Sequence, residues 1–450
     1  MDETEKRSAG GQSPGKGASL LPGFLALSSS NLVRTSAGFM FWVFVARLAP
    51  PAAVGVSGAV IATVALLSRF TSLGLGSFLM AELPKLPHAA ARQVFRLSTT
   101  VLLTITVSAG LLWWGGVLLI GPDGGSSVSA SVGSIGVALL FVATLVLTSI
   151  SSVWDYGALG INRSSAQVTR NLIASFGRFP ILLLWPTVVG DVDAVAVLTS
   201  WVAPIAVSTI VFAFQTDLAS GMRSAPRRGR ELLLLHWRTS LGHYFLDVSL
   251  AAGPLLVPVV AAAILAPTDN GFFTVAWMAA SVVFVVPFAL ATSLFASSAA
   301  GGGAAFLRSS RRVLPAGLAL GALGCVGTWV AGSLLFSVFG EDYVEESLPL
   351  TSVLVLAVLW MVVKDLMLDW YRLERRFTLA TSVALAATLM DVVGALLGGL
   401  LIGGGMGVTV GWVAASGAQA LVATPLILDY LRKVASAPAP PSDHPAEPLG

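Results

Sequence analysis

The stretch Leu79–Ser98, LMAELPKLPHAAARQVFRLS, carries Lys85, Arg92 and Arg96 between two long apolar runs. The next interruption, Gly121–Ser127 (GPDGGSS), carries one charge, Asp123. That alternation continues along the whole chain. Seven basic segments hold 21 of the 26 Lys and Arg residues. The first has Lys6, Arg7 and Lys16, the second is quoted above, and the third has Arg163 and Arg170. Arg223, Arg227, Arg228, Arg230 and Arg238 follow, then Arg308, Arg311 and Arg312, then Arg372, Arg375 and Arg376, then Arg432 and Lys433. The loops between them carry Asp123, Asp191, Asp193, Asp269 and the run Glu341, Asp342, Glu345, Glu346, with Arg47 as their one cation. Loops rich in Lys and Arg stay cytoplasmic, so the pattern predicts a chain threaded repeatedly through a bilayer with both termini inside.

A spanning helix needs about 20 mostly apolar residues. On that criterion spans are expected near 21–47, 53–80, 97–120, 132–160, 169–189, 193–215, 237–265, 270–298, 313–339, 347–371, 377–402 and 406–430. The expected fold is an all-α polytopic membrane protein of about 12 transmembrane helices. Residues 1–19 and 432–450 read as disordered cytoplasmic ends, the latter rich in proline. The apolar run that follows residue 19 lacks a cleavage signature and reads as a retained span.

Composition agrees: the chain is 55% hydrophobic and only 11% charged, against roughly 25% charged in a soluble domain. The net charge of +3 belongs to the membrane surface, where anionic headgroups lie, and no nucleic-acid partner is expected. Cys325 is the single cysteine and reads as a small buried hydrophobe. There is no P-loop, no metal-ligand spacing among the four histidines and no serine elbow, so neither an enzyme nor a resident cofactor is expected.

The halves repeat. LAPPAAVG (Leu48–Gly55) returns as LAPTDNG (Leu265–Gly271), and the helix end WDYGALGINR (Trp154–Arg163) as LDWYRLERR (Leu368–Arg376). Two six-helix lobes, 20–215 and 237–431, joined by the basic loop 216–236, would be related by a pseudo-twofold axis along the membrane normal, with a cleft between them.

Three elements carry a family resemblance: VFVARLAPPAAVGVSG (Val43–Gly58), SRFTSLGLGSFLM (Ser68–Met80) and FGEDY (Phe339–Tyr343). In order and spacing they resemble the polysaccharide-export, Wzx-type flippase branch of the multidrug/oligosaccharidyl-lipid/polysaccharide (MOP) exporter superfamily. The resemblance implies a MATE/MOP-like fold that moves a lipid-linked oligosaccharide from the inner to the outer leaflet of a bacterial cytoplasmic membrane. Expected partners are that glycan, membrane lipid and the polymerase or glycosyltransferases of polysaccharide synthesis. The alternative within the fold is a MATE-type multidrug or cation antiporter.

Charges near mid-bilayer cost about 2.5–3.5 kcal/mol each on insertion scales and are functional candidates by default. Arg34, Arg69 and Arg178 are isolated cations in the first half, suited to a phosphate or pyrophosphate through bidentate guanidinium bonds. Asp247, Lys364, Asp365 and Asp391 lie in the second half and are candidates for coupling to H+ or Na+. Gly253, Pro254 and Pro258 predict a bent seventh helix. Asp155 and Asp369 are expected to form interfacial ion pairs beside Arg163 and Arg372. Trp113, Trp114, Trp185 and Trp201 are expected in an interfacial belt.

Overall fold

The computed structural model describes residues 36–120, 125–161, 163–216, 244–245, 248–249, 251–298 and 302–436. Among them every regular element is helical. An apolar chain in lipid can satisfy its backbone only within itself, and a helix does so segment by segment. In the first half the helices are α1 (Ser36–Leu48), α2 (Pro51–Thr71), α3 (Leu75–Glu82), α4 (His88–Ile120), α5 (Ser127–Gly133), α6 (Ile135–Gly160), α7 (Ser164–Phe176), α8 (Arg178–Val188) and α9 (Ala194–Thr216). The second half has α10 (Ala251–Ile264), α11 (Pro267–Ser298), α12 (Gly302–Ser337), α13 (Glu341–Leu354), α14 (Ala357–Leu373), α15 (Phe377–Leu401) and α16 (Gly404–Ser436).

Among the described residues ten stretches are long and apolar enough to cross a membrane. They meet ten of the twelve expected spans in order. The expected first and seventh spans coincide with the shorter helices α1 and α10; residues 21–35 of the first and, apart from 244–245 and 248–249, residues 237–250 of the seventh lie outside the described residues. So do the termini 1–19 and 437–450 and most of the basic loop between the halves.

Several crossings are interrupted. Ser72–Gly74 separate α2 from α3, with Leu73 at φ 45° and Gly74 at φ 73°. A left-handed leucine is unfavourable, so this break is held by its surroundings. Val355 and Leu356 separate α13 from α14. There the Cys325 thiol, 3% exposed, donates to Val355 O at 3.3 Å, as a buried small side chain would.

Small residues set the closest helix contacts. A Cβ on Gly398 of α15 would overlap Gly407 O of α16, and one on Gly411 would overlap Gly394 O. The same device joins the two halves. A Cβ on Gly55 of α2 would overlap Pro267 O of α11, and one on Gly271 of α11 would overlap Pro51 O of α2. The contact is reciprocal between residues of the LAPPAAVG and LAPTDNG repeats. It lies at the end of the bundle that carries the acidic loops.

One expected ion pair is corrected. Asp155 does not pair with Arg163; Arg170 grips both its oxygens through one guanidinium edge, Nε at 2.8 Å and Nη2 closer, while Arg163 donates to Gln215 O at 2.7 Å. Asp155 lies on the inward side of α6, where α7 presents Arg170. Asp369 does pair with Arg372, at 3.5 Å.

Candidate functional site

A cavity of about 620 Å³ lies in the first half, and residues near the basic end of the bundle, Leu159, Gln167 and Arg170, are among its lining. Its walls come from α2, α3, α6, α7, α9 and the start of α8, and Tyr244, Val248 and Leu255 of the second half close one side. Tyr244 holds that side by donating its hydroxyl to Phe70 O, just before the α2–α3 break. Gly76 makes room for the aromatic ring of Tyr156, which a Cβ would meet at once.

Two of the expected anion-site residues meet here. Arg69 and Arg178 both line the cavity, while Arg34 lies outside the described residues. Arg69 is exposed, and its guanidinium has no hydrogen bond or ion pair among the described residues. Arg178 starts α8 and stacks its guanidinium on Trp201, 3.5 Å from the ring centroid, with Phe41 5.8 Å away. Trp201 therefore does not belong to an interfacial belt. It lines the cavity and shares an aromatic cluster with Phe41 and Trp42.

Sequence reading placed Arg170 in a basic segment and did not single it out. In the structure it is 5% exposed and lines the cavity, bonded to Asp155 and to Asn171 Oδ1 at 2.9 Å. Ser68, Ser72, Ser77, Thr148, Ser151 and Ser152 add hydroxyls to the wall. The cavity thus combines the guanidinium groups of Arg69 and Arg178, the Arg170–Asp155 ion pair and a row of serine and threonine side chains. Arginine forks bind phosphate oxygens bidentately, and hydroxyls exchange donors and acceptors with sugars.

The stack of Arg178 on Trp201 leads to an expected result. A cation–π contact is worth about 0.5–2 kcal/mol, more when desolvated. If the cavity takes a pyrophosphate, Trp201→Ala is expected to weaken its binding about fivefold, with Trp201→Phe recovering most of it. Isothermal titration of the purified protein checks this; equal affinity in Trp201→Ala would mean that the ring does not position the guanidinium.

The candidate coupling residues lie apart from this cavity. Asp391 of α15 is 2% exposed and accepts from Gln419 Nε2 at 2.8 Å and Ser416 Oγ at 3.4 Å, both on α16. A Cβ on Gly253 of α10 would sit 2.7 Å from Asp391 Oδ2. Gly253 thus gives the carboxylate close access to α10, and Pro254 and Pro258 follow it within the same helix. Lys364 and Asp365 are chain neighbours on α14. Asp365 faces a small apolar pocket with Pro287, Leu294 and Val313. Asp247 lies outside the described residues. No cluster of three or more metal-ligating side chains occurs among the described residues.

With that geometry fixed, similarity to solved structures is extensive. An inward-facing multidrug resistance MATE family transporter of the MOP superfamily superposes with a TM-score of 0.73 at 14% identity, covering 90% of this chain and 96% of that one. This chain shares the fold of that structure. The lipid II flippase MurJ in an inward closed conformation gives a TM-score of 0.69 at 11% identity over 91% of this chain and 90% of that one. An outward-facing MATE transporter gives 0.59 at 14% identity over 91% and 94%. No family model and no curated protein matches the chain by sequence.

Proposed function

We propose that this chain is an alternating-access flippase that carries a lipid-linked oligosaccharide, joined through a diphosphate, from the inner to the outer leaflet of a bacterial cytoplasmic membrane. The observation that carries the reading is the cavity in which Arg69 and Arg178 face a hydroxyl-rich wall. A diphosphate and the first sugars of a glycan need both kinds of wall, and the lipid tail can stay in the bilayer. The basic end of the bundle is taken as cytoplasmic, so the cavity loads from the side where such lipids are assembled. The polymerase and glycosyltransferases of polysaccharide synthesis are the candidate partners.

A cation antiporter is favoured by one observation, the acids of the second half, buried Asp391 and half-buried Asp365. Those acids do not line the large cavity, where arginines would repel a cationic drug. We assign Asp391 instead to coupling. With Lys364, Asp365 and Asp247 as its companions, it would take up H+ or Na+ and bias the two states. Asp391→Asn is expected to abolish stimulation of transport by an imposed ion gradient while leaving pyrophosphate affinity within twofold of the parent. Retained gradient stimulation would remove Asp391 from the coupling role.

In cells, depletion of the protein is expected to build up cytoplasmic-facing lipid-linked glycan and to reduce surface polysaccharide. An Arg178→Ala copy should fail to restore either. An unchanged glycan pool with new sensitivity to cationic drugs would sink the flippase reading and promote the antiporter.

A further inference from the structure

Three sequence motifs that are far apart in the chain meet at the acidic end of the seam between the halves. Arg47, in the ARLAPP turn after α1, donates from Nε to Val338 O at 2.8 Å and from Nη2 to Ser337 O. These acceptors, 291 and 290 residues away, belong to the residue that follows α12 and to its last residue, just before the FGEDY segment. Gly340 turns the chain there at φ 141°. Phe39 meets Phe339 edge-on at 5.4 Å, and Phe336, Phe339 and Tyr343 share a buried cluster with Phe41, Val45 and Leu182 of the first half. Beneath this layer lies the Gly55–Gly271 contact of the repeated LAP motifs, where Asn270 Nδ2 also donates to Gly55 O at 2.8 Å.

We propose that Arg47 is a reversible latch. It closes the acidic end of the seam and sets how often the cavity opens to that side. The carbonyls at a helix C-terminus have no partners within the helix, and they form the negative end of its dipole. A guanidinium is therefore the best available cap for them, and this one comes from the opposite half. Arg47 is also exposed, so water can replace its bonds when the halves separate. A buried pair would lock the seam, and a single neutral hydrogen bond would hold it weakly. The latch accounts for the one cation among the acidic loops, since its charge is spent on a helix end and not on a headgroup.

The inference rests on the alternating-access reading, but its test needs no substrate. Spin labels at Asp191→Cys and Glu345→Cys, two exposed acidic-end positions in different halves, are placed in a Cys325→Ser background in lipid nanodiscs. Pulsed dipolar spectroscopy then reads the separation of the halves. Charge-assisted bonds of this kind make Arg47→Ala raise the ratio of separated to closed populations about tenfold. Arg47→Lys, a point charge without the fork, is expected to fall between. A folded, monodisperse Arg47→Ala with the parent's distance distribution overturns the latch. If the alanine variant does not fold, the lysine variant decides, and an unchanged distribution there overturns it equally. Absence of flipping activity with a clear Arg47 shift would instead count against the flippase reading alone.

Discussion

Gly55→Ala is expected to reduce transport at least about 100-fold, while Gly115→Ala on α4 leaves it at the parental rate. The two glycines differ only in what a Cβ would meet. At Gly115 there is nothing within 4 Å, whereas at Gly55 the added carbon overlaps Pro267 O, with Gly271 N 2.8 Å away. Overpacked cores usually cost about 1–3 kcal/mol because side chains shift out of the way. Here the obstacles are backbone atoms of α11, so whole helices must part before the seam closes. A penalty near 2.7 kcal/mol corresponds to about 100-fold. Gly271→Ala should behave alike, because its Cβ overlaps Pro51 O from the other side. Flipping rates of purified variants with matched gel-filtration profiles check the pair. Parental rates in both would mean that the transport cycle never needs α2 and α11 this close.

The second large effect concerns the anion itself. Arg178→Ala is expected to weaken pyrophosphate binding about tenfold or more, as the loss of hydrogen bonds to a charged group does. Arg69→Ala should cost less, because Arg69 is exposed and its charge is better screened. If both hold the same diphosphate, the double variant will depart from the product of the two single effects, because residues sharing a ligand couple. Arg178→Lys restores charge without the planar stack on Trp201 and should recover only part of the affinity. Titration calorimetry on the four proteins checks this. Independent, multiplicative losses would place the two arginines on different ligands.

The fold was largely legible because hydropathy and loop charge report directly on crossing and depth. Arg69 and Arg178 were legible for the same reason: a charge inside an apolar run is conspicuous wherever it points. What depth cannot report is azimuth. Trp201 was read as an interfacial anchor, yet its face turns inward under Arg178. Arg170 looked like an ordinary loop cation, and only the packing of α7 against α6 brings it onto Asp155. Arg47 stood out as an exception to the charge rule, but its partners are backbone carbonyls, which leave no mark in a side-chain pattern. Gly253 drew notice for its neighbouring prolines, while its contact with Asp391 depends on a helix more than a hundred residues later.

The most direct measurement is flipping in proteoliposomes that contain the purified protein and a fluorescent polyprenyl-diphosphate oligosaccharide. Arrival at the opposite leaflet is read by quenching with a membrane-impermeant reductant. The account predicts protein-dependent flipping that inorganic pyrophosphate inhibits, that Arg178→Ala nearly abolishes, and that a tail-matched neutral glycolipid does not show. Equal flipping of the neutral lipid, or a parental rate in Arg178→Ala, would contradict the account and leave the arginine cavity without the role assigned to it.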